Sequence, residues 1–101
     1  MYKDDIKEIF RLKAESEEKT KNLKNTIKEK LEDFKMKFEI SMDFEIELFK
    51  NLDSEGILLN LHITQGYTIT NDFIKEITNI MQTDSYNIVF DENKIIMTFL
   101  Y

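Results

Sequence analysis

The chain of 101 residues contains no cysteine, no proline and no tryptophan, and it has one histidine and two glycines. Without cysteine there is no disulfide framework, no thiolate zinc site and no cysteine nucleophile. The isolated glycines, Gly56 and Gly66, cannot form a glycine-rich phosphate loop. The single histidine, His62, has too few partners for a catalytic triad or a histidine metal site. These absences disfavour the common catalytic and nucleotide-binding sites.

Long hydrophobic runs are also missing. The longest uninterrupted apolar run has three residues, whereas a membrane-spanning helix needs roughly 20. The first five residues include Asp4 and Asp5, and no apolar stretch follows them, which is not the pattern of a secretory signal. The sequence therefore predicts a soluble, cytoplasmic protein with no membrane segment.

Composition predicts one folded domain over residues 1–101. The apolar fraction is 42% and the aromatic fraction 12%, which is ordinary for a globular domain. The net charge of −6 is unevenly distributed. Residues 1–37 carry eleven basic and nine acidic side chains, and residues 38–101 carry three basic and eleven acidic ones. The strongly acidic second part repels phosphate, which disfavours nucleic acid as a partner.

Residues 1–35 predict one long helix, because they are rich in good helix formers and contain no glycine or proline. Apolar residues cluster at both ends, and residues 13–22 between them have no apolar stripe. A break near Glu18 into two helices is the alternative. The C-terminal cluster has helical spacing and should dock on a sheet. It consists of Leu23, Ile27, Leu31 and Phe34.

Residues 37–50 alternate between polar and apolar side chains, which predicts a long β-strand with one buried face. The polar turn at residues 51–56 and the alternation from Ile57 to Ile63 then predict an antiparallel hairpin. Its apolar face consists of Phe38, Ile40, Met42, Phe44, Ile46 and Leu48 on the first strand and Ile57, Leu59, Leu61 and Ile63 on the second.

A second helix is predicted to begin at Thr70, a good N-cap, and to end near Gln82 or Thr83. Ile69 and Ile74 occupy the positions of a hydrophobic staple across its start.

Two further strands, residues 86–90 and 95–101, form a second hairpin. The order αββαββ predicts an α+β fold, in which residues 37–101 are an acidic ββαββ unit. We expect a four-stranded, mainly antiparallel sheet with the helices on one face.

The first helix, if continuous, is longer than the domain. About 33 residues at 1.5 Å each span roughly 50 Å, whereas a domain of this size is about 26 Å across. Its N-terminal end should overhang, and its apolar side chains need cover from a second copy, from another protein or from a fold-back at the polar middle. We expect a homodimer. The predicted oligomerisation residues are Ile6, Ile9, Phe10 and Leu12.

The sheet face turned away from the helices is acidic along the first strand and partly apolar across the others. Apolar patches rimmed by charge often mark protein interfaces, so we expect this face to bind a protein with a basic surface. Carboxylates two positions apart on a strand are roughly 6–7 Å apart, which is wide for one small metal ion, so we predict no metal and no cofactor. The predicted partner-binding residues are Glu39, Asp43, Glu45, Glu47, Leu58 and Ile96.

The sequence thus favours a non-enzymatic protein-binding module, such as an inhibitor, an immunity protein or a chaperone. One alternative is an assembly protein that forms homo-oligomers through its N-terminal helix. The other is a small-ligand-binding protein or enzyme with its site between subunits.

Overall fold

A computed structural model describes residues 2–11, 16–63, 69–92 and 94–101. Over those residues the chain forms three helices and four strands, so the predicted α+β fold is confirmed. In chain order the elements are α1 (Tyr2–Arg11), α2 (Ser16–Phe38), β1 (Met42–Lys50), β2 (Glu55–Ile63), α3 (Asn71–Met81), β3 (Tyr86–Asp91) and β4 (Lys94–Leu100).

The four strands form one antiparallel sheet in the order β1-β2-β4-β3. The two predicted hairpins therefore lie side by side, with β2 and β4 in the centre and β1 and β3 at the edges. The alternation on the central strands buries every second side chain beneath the helices, as predicted for β2. These core residues are Ile57, Leu59, Leu61, Ile95, Met97 and Phe99.

The first helix ends earlier and folds back, so the prediction of one continuous helix with an overhang was wrong. α1 ends at Arg11 and α2 begins at Ser16. Across their contact, Lys19 Nζ lies 3.1 Å from Glu8 Oε1. The polar middle offers no apolar stripe to a continuous helix, whereas folding back buries the apolar face of α1.

The fold-back changes the interpretation of the predicted oligomerisation residues. Ile6 is 0% exposed and Ile9 5% exposed within a single chain, and Phe10 packs against the same core. Leu12 lies outside the described residues. The cover that these side chains were expected to obtain from a second copy comes, for Ile6 and Ile9, from α2 and the sheet.

The first strand begins later than the alternation predicted, because α2 continues through Phe38. The Phe38 ring packs on Phe34, with 4.7 Å between centroids. Glu39 has a φ of 53°, the left-handed conformation that ends many helices, and the Ile40 N–H donates to the Lys35 carbonyl oxygen at 3.0 Å. Phe38 fits the helical spacing set by Phe34 as well as it fits the strand alternation, and the helix prevails.

Both ends of α3 match the prediction. The Thr70 hydroxyl oxygen accepts a hydrogen bond from the Phe73 N–H at 3.2 Å, and Gln82 closes the helix in the left-handed conformation. Ile69 and Ile74, the two staple positions, are half-buried against the core.

The end of α3 also fastens both ends of the described chain. The Tyr2 N–H donates to Gln82 Oε1 at 3.2 Å, and the Tyr101 hydroxyl donates to the Met81 carbonyl oxygen at 2.5 Å. Over the described residues, each helix falls short of the combined length and apolar content that a bilayer crossing requires.

Candidate protein-binding surface

The strand register arranges the face opposite the helices in three rows that cross all four strands. We call this set of twelve residues the outer face. The first row is Asp43, His62, Lys94 and Asp91; the second is Glu45, Asn60, Ile96 and Val89; the third is Glu47, Leu58, Thr98 and Asn87.

Five of the six predicted partner-binding residues lie on the outer face. Asp43, Glu45 and Glu47 are on β1, while Leu58 and Ile96 are on the central strands β2 and β4. Glu39 does not join them, and its predicted position on the strand was wrong. It lies at the end of α2, because the helix continues past the point at which the alternation begins.

The three carboxylates form an exposed acidic edge. All are solvent-exposed, and none has an ion-pair partner among the residues that the structure describes. No lysine or arginine lies opposite them on β2, since Asp43 faces His62, Glu45 faces Asn60 and Glu47 faces Leu58. In the described part of the chain no group of three or more acidic, histidine or cysteine side chains could hold a metal ion. The edge therefore presents unneutralised negative charge.

Beside the acidic edge lies an exposed apolar strip. Ile96 on β4 lies directly opposite Val89 on β3. Leu58 on β2 is the diagonal neighbour of Ile96. Val89 is 48% exposed, and Leu58 and Ile96 are half-buried by their neighbours within the sheet. None of the three belongs to the core that the helices cover. The outer face thus combines acidic and apolar surface as the sequence predicted.

Sequence reasoning missed one further member of this surface, Phe49. It stands at the end of the outer face, opposite Gly56 on β2, which pairs with Leu100 on β4. Its ring occupies the space above the glycine, since a Cβ at Gly56 would lie 2.6 Å from Phe49 Cζ. The signal was present in the chain: Phe49 breaks the polar series of its strand, and Gly56 is the glycine at the start of the next strand.

Away from the outer face, a concave region between α1 and α2 has a volume of about 250 Å³. Its wall includes Tyr2, Asp5 and the Glu8–Lys19 ion pair. It lies within one chain, whereas the small-ligand alternative placed its site between subunits.

No protein-family model matches the chain, and no curated protein or solved structure matches it either. The function must therefore be inferred from the chemistry of the surfaces described above.

Proposed function

We propose that this chain is a non-enzymatic protein-binding module that docks a basic protein on its outer face. The observation that supports the proposal is the acidic edge of Asp43, Glu45 and Glu47, whose carboxylates have no ion-pair partner among the described residues. The edge lies beside the apolar strip of Leu58, Ile96 and Val89.

The two parts of this surface suit different stages of association. Unpaired carboxylates at a sheet edge attract a basic partner and accelerate encounter, most strongly at low salt. Apolar side chains then supply affinity, at roughly 1.5–3 kcal/mol for each large one fully removed from water. The complementary partner carries lysine or arginine side chains around a small apolar anchor. A protein that masks a basic functional surface, as an inhibitor, immunity protein or chaperone does, fits this description.

The assembly alternative has lost its main support. It depended on apolar side chains of the N-terminal helix that one chain could not cover, and Ile6 and Ile9 are buried in the chain's own core.

Partner capture with charge-reversed baits tests the proposal. One bait carries Asp43→Lys, Glu45→Lys and Glu47→Lys. The control bait carries Glu29→Lys, Asp53→Lys and Asp84→Lys, which reverses three exposed carboxylates elsewhere and gives the same net charge. Circular dichroism first establishes that both baits are folded.

We expect the wild-type and control baits to retain the same partner and the outer-face bait to lose it. With the purified partner, the outer-face variant should bind at least about tenfold more weakly at low salt, and the difference should shrink as salt rises. Equal affinity of the outer-face variant and the wild type would disprove the proposal.

A further inference from the structure

The other edge strand, β3, carries unusually exposed apolar side chains. Phe90 is 61% exposed and Tyr86 39% exposed, although both point to the helix side of the sheet together with Ile88. Among the described residues, no strand pairs with the outer edge of β3. An edge of this kind is a ready template for another strand.

The hydrogen-bond ladder determines which backbone groups of β3 point outward. The Leu100 N–H donates to the Ser85 carbonyl oxygen at 2.9 Å, whereas the Tyr101 N–H donates to β2, to the Glu55 carbonyl oxygen at 3.0 Å. Because an antiparallel ladder alternates along the strand, Asn87 and Val89 bond to β4. The N–H and C=O groups of Tyr86, Ile88 and Phe90 therefore point to the open edge.

We infer that β3 pairs with β3 of a second copy of this chain, antiparallel and about a two-fold axis at Ile88. In this register Ile88 lies opposite Ile88 of the second copy, and Tyr86 lies opposite Phe90. Each of these pairs exchanges two N–H···O bonds, so every outward-pointing group from Tyr86 to Phe90 obtains a partner. The exposed side chains of both copies then pack together on the helix side as cross-strand pairs.

Charge explains why the second copy pairs here and why it does not pair at the opposite edge. A two-fold pairing along β1 sets outer-face residues opposite each other, for example Glu45 opposite Glu47 of the second copy, and like charges in that position are destabilising. Within β3 the one carboxylate, Asp91, lies opposite Ser85. The like-charged pair that this register sets up, Asp84 opposite Glu92 of the second copy, lies beyond the ends of the strand. The strand is therefore complementary to itself, which the acidic edge is not.

The pairing does not rest on the proposed function, and it leaves the outer face open. A two-fold axis perpendicular to the sheet keeps the helices of both copies on one side and both outer faces on the other. The result is an eight-stranded sheet with an acidic edge at each end.

Sedimentation equilibrium tests the inference with variants that distinguish the register. The wild type should sediment at twice the chain mass of 12.1 kDa. Tyr86→Glu with Phe90→Glu places like charges opposite each other twice, and dimerisation should weaken at least about tenfold. Tyr86→Lys with Phe90→Glu places opposite charges there and should restore the dimer. Leu52→Glu with Met36→Glu adds the same charge at exposed sites elsewhere and should leave the dimer intact.

A monomeric wild type at every concentration, or a dimer that persists in the Tyr86→Glu, Phe90→Glu variant, would overturn the inference. Tyr86 also contacts the Phe99 ring, at 6.1 Å between centroids, so circular dichroism must show that each variant is folded. If a variant does not fold, amide exchange of the wild type decides. The Ile88 and Phe90 amides should be protected at high concentration and lose protection on dilution, whereas the Val89 amide should remain protected. Unprotected Ile88 and Phe90 amides at all concentrations would equally overturn it.

Discussion

Phe49 lies over Gly56, its register partner on the neighbouring strand, and the two fit only because the glycine has no side chain. A Cβ at Gly56 would lie 2.6 Å from Phe49 Cζ and 2.1 Å from the Phe99 backbone oxygen. The ring covers backbone that would otherwise face water, a device that stabilises strand glycines.

Gly56→Ala should therefore destabilise the fold by about 1–3 kcal/mol, the usual cost of overpacking. Urea denaturation measures the change. Adding Phe49→Ala should not restore stability, because the Phe99 backbone oxygen would still clash with the new methyl group. A Gly56→Ala variant as stable as the wild type would contradict the close approach of these strands.

Ile6→Ala tests the fold-back of α1. Ile6 is fully buried in the chain's core, so its truncation should cost about 2–5 kcal/mol of unfolding free energy. Leu52→Ala is the control, because Leu52 is fully exposed and its truncation should change stability by less than about 0.5 kcal/mol. If α1 extended away from the domain, the two variants would behave alike.

Tyr101 makes the stability of the fold sensitive to alkaline pH. Burial, with a smaller contribution from the nearby Tyr2, raises the pKa of the Tyr101 hydroxyl well above its ordinary value. The folded chain thus holds this proton more tightly than the unfolded chain, whose tyrosines titrate near pH 10. The resulting stability is fully present below about pH 10 and is lost as pH rises above it.

Tyr101→Phe is the variant that checks this pH dependence. At pH 8 it should be less stable by about 1 kcal/mol, since it loses the hydrogen bond to the Met81 carbonyl oxygen. Urea denaturation at a series of pH values should show that the difference in unfolding free energy between the variant and the wild type narrows between pH 10 and 11. A constant difference would mean that the Tyr101 hydroxyl does not titrate differently in the folded state.

The acidic edge should contribute nothing to folding. Asp43, Glu45 and Glu47 have no ion-pair partners among the described residues, so replacing them with Asn, Gln and Gln should leave the melting temperature unchanged or slightly raised. The melting temperature of Lys19→Met provides a comparison, because this substitution, unlike the triple replacement, breaks an ion pair that the fold contains, between Lys19 and Glu8. A clear loss of stability in the triple variant would show that the carboxylates are structural and would weaken their assignment to binding.

The sequence predicted well those elements whose local signals agree with one another. Thr70 and the isoleucines beside it specify where α3 begins, and the strict alternation along β2 specifies its buried face. The errors occurred where two periods overlap or where distant contacts decide. Phe38 satisfies both a helix and a strand. The fold-back of α1 depends on burial against α2 and the sheet, which the polar middle of the segment allows but does not specify.

The same distinction between local signals and distant contacts applies to the residues of the candidate site. Asp43, Glu45 and Glu47 lie where the alternation placed them, because all three are inside the strand. Glu39 was misplaced by the boundary error, and Phe49 was missed because its role depends on a glycine across the hairpin.

The attachment of Tyr2 to Gln82 and of Tyr101 to Met81 places both ends of the described chain near the C-terminal end of α3. Residues 2 and 101 could therefore be joined by a short linker and the chain reopened at the exposed β1–β2 turn around Leu52. Such a circular permutant should keep the same fold.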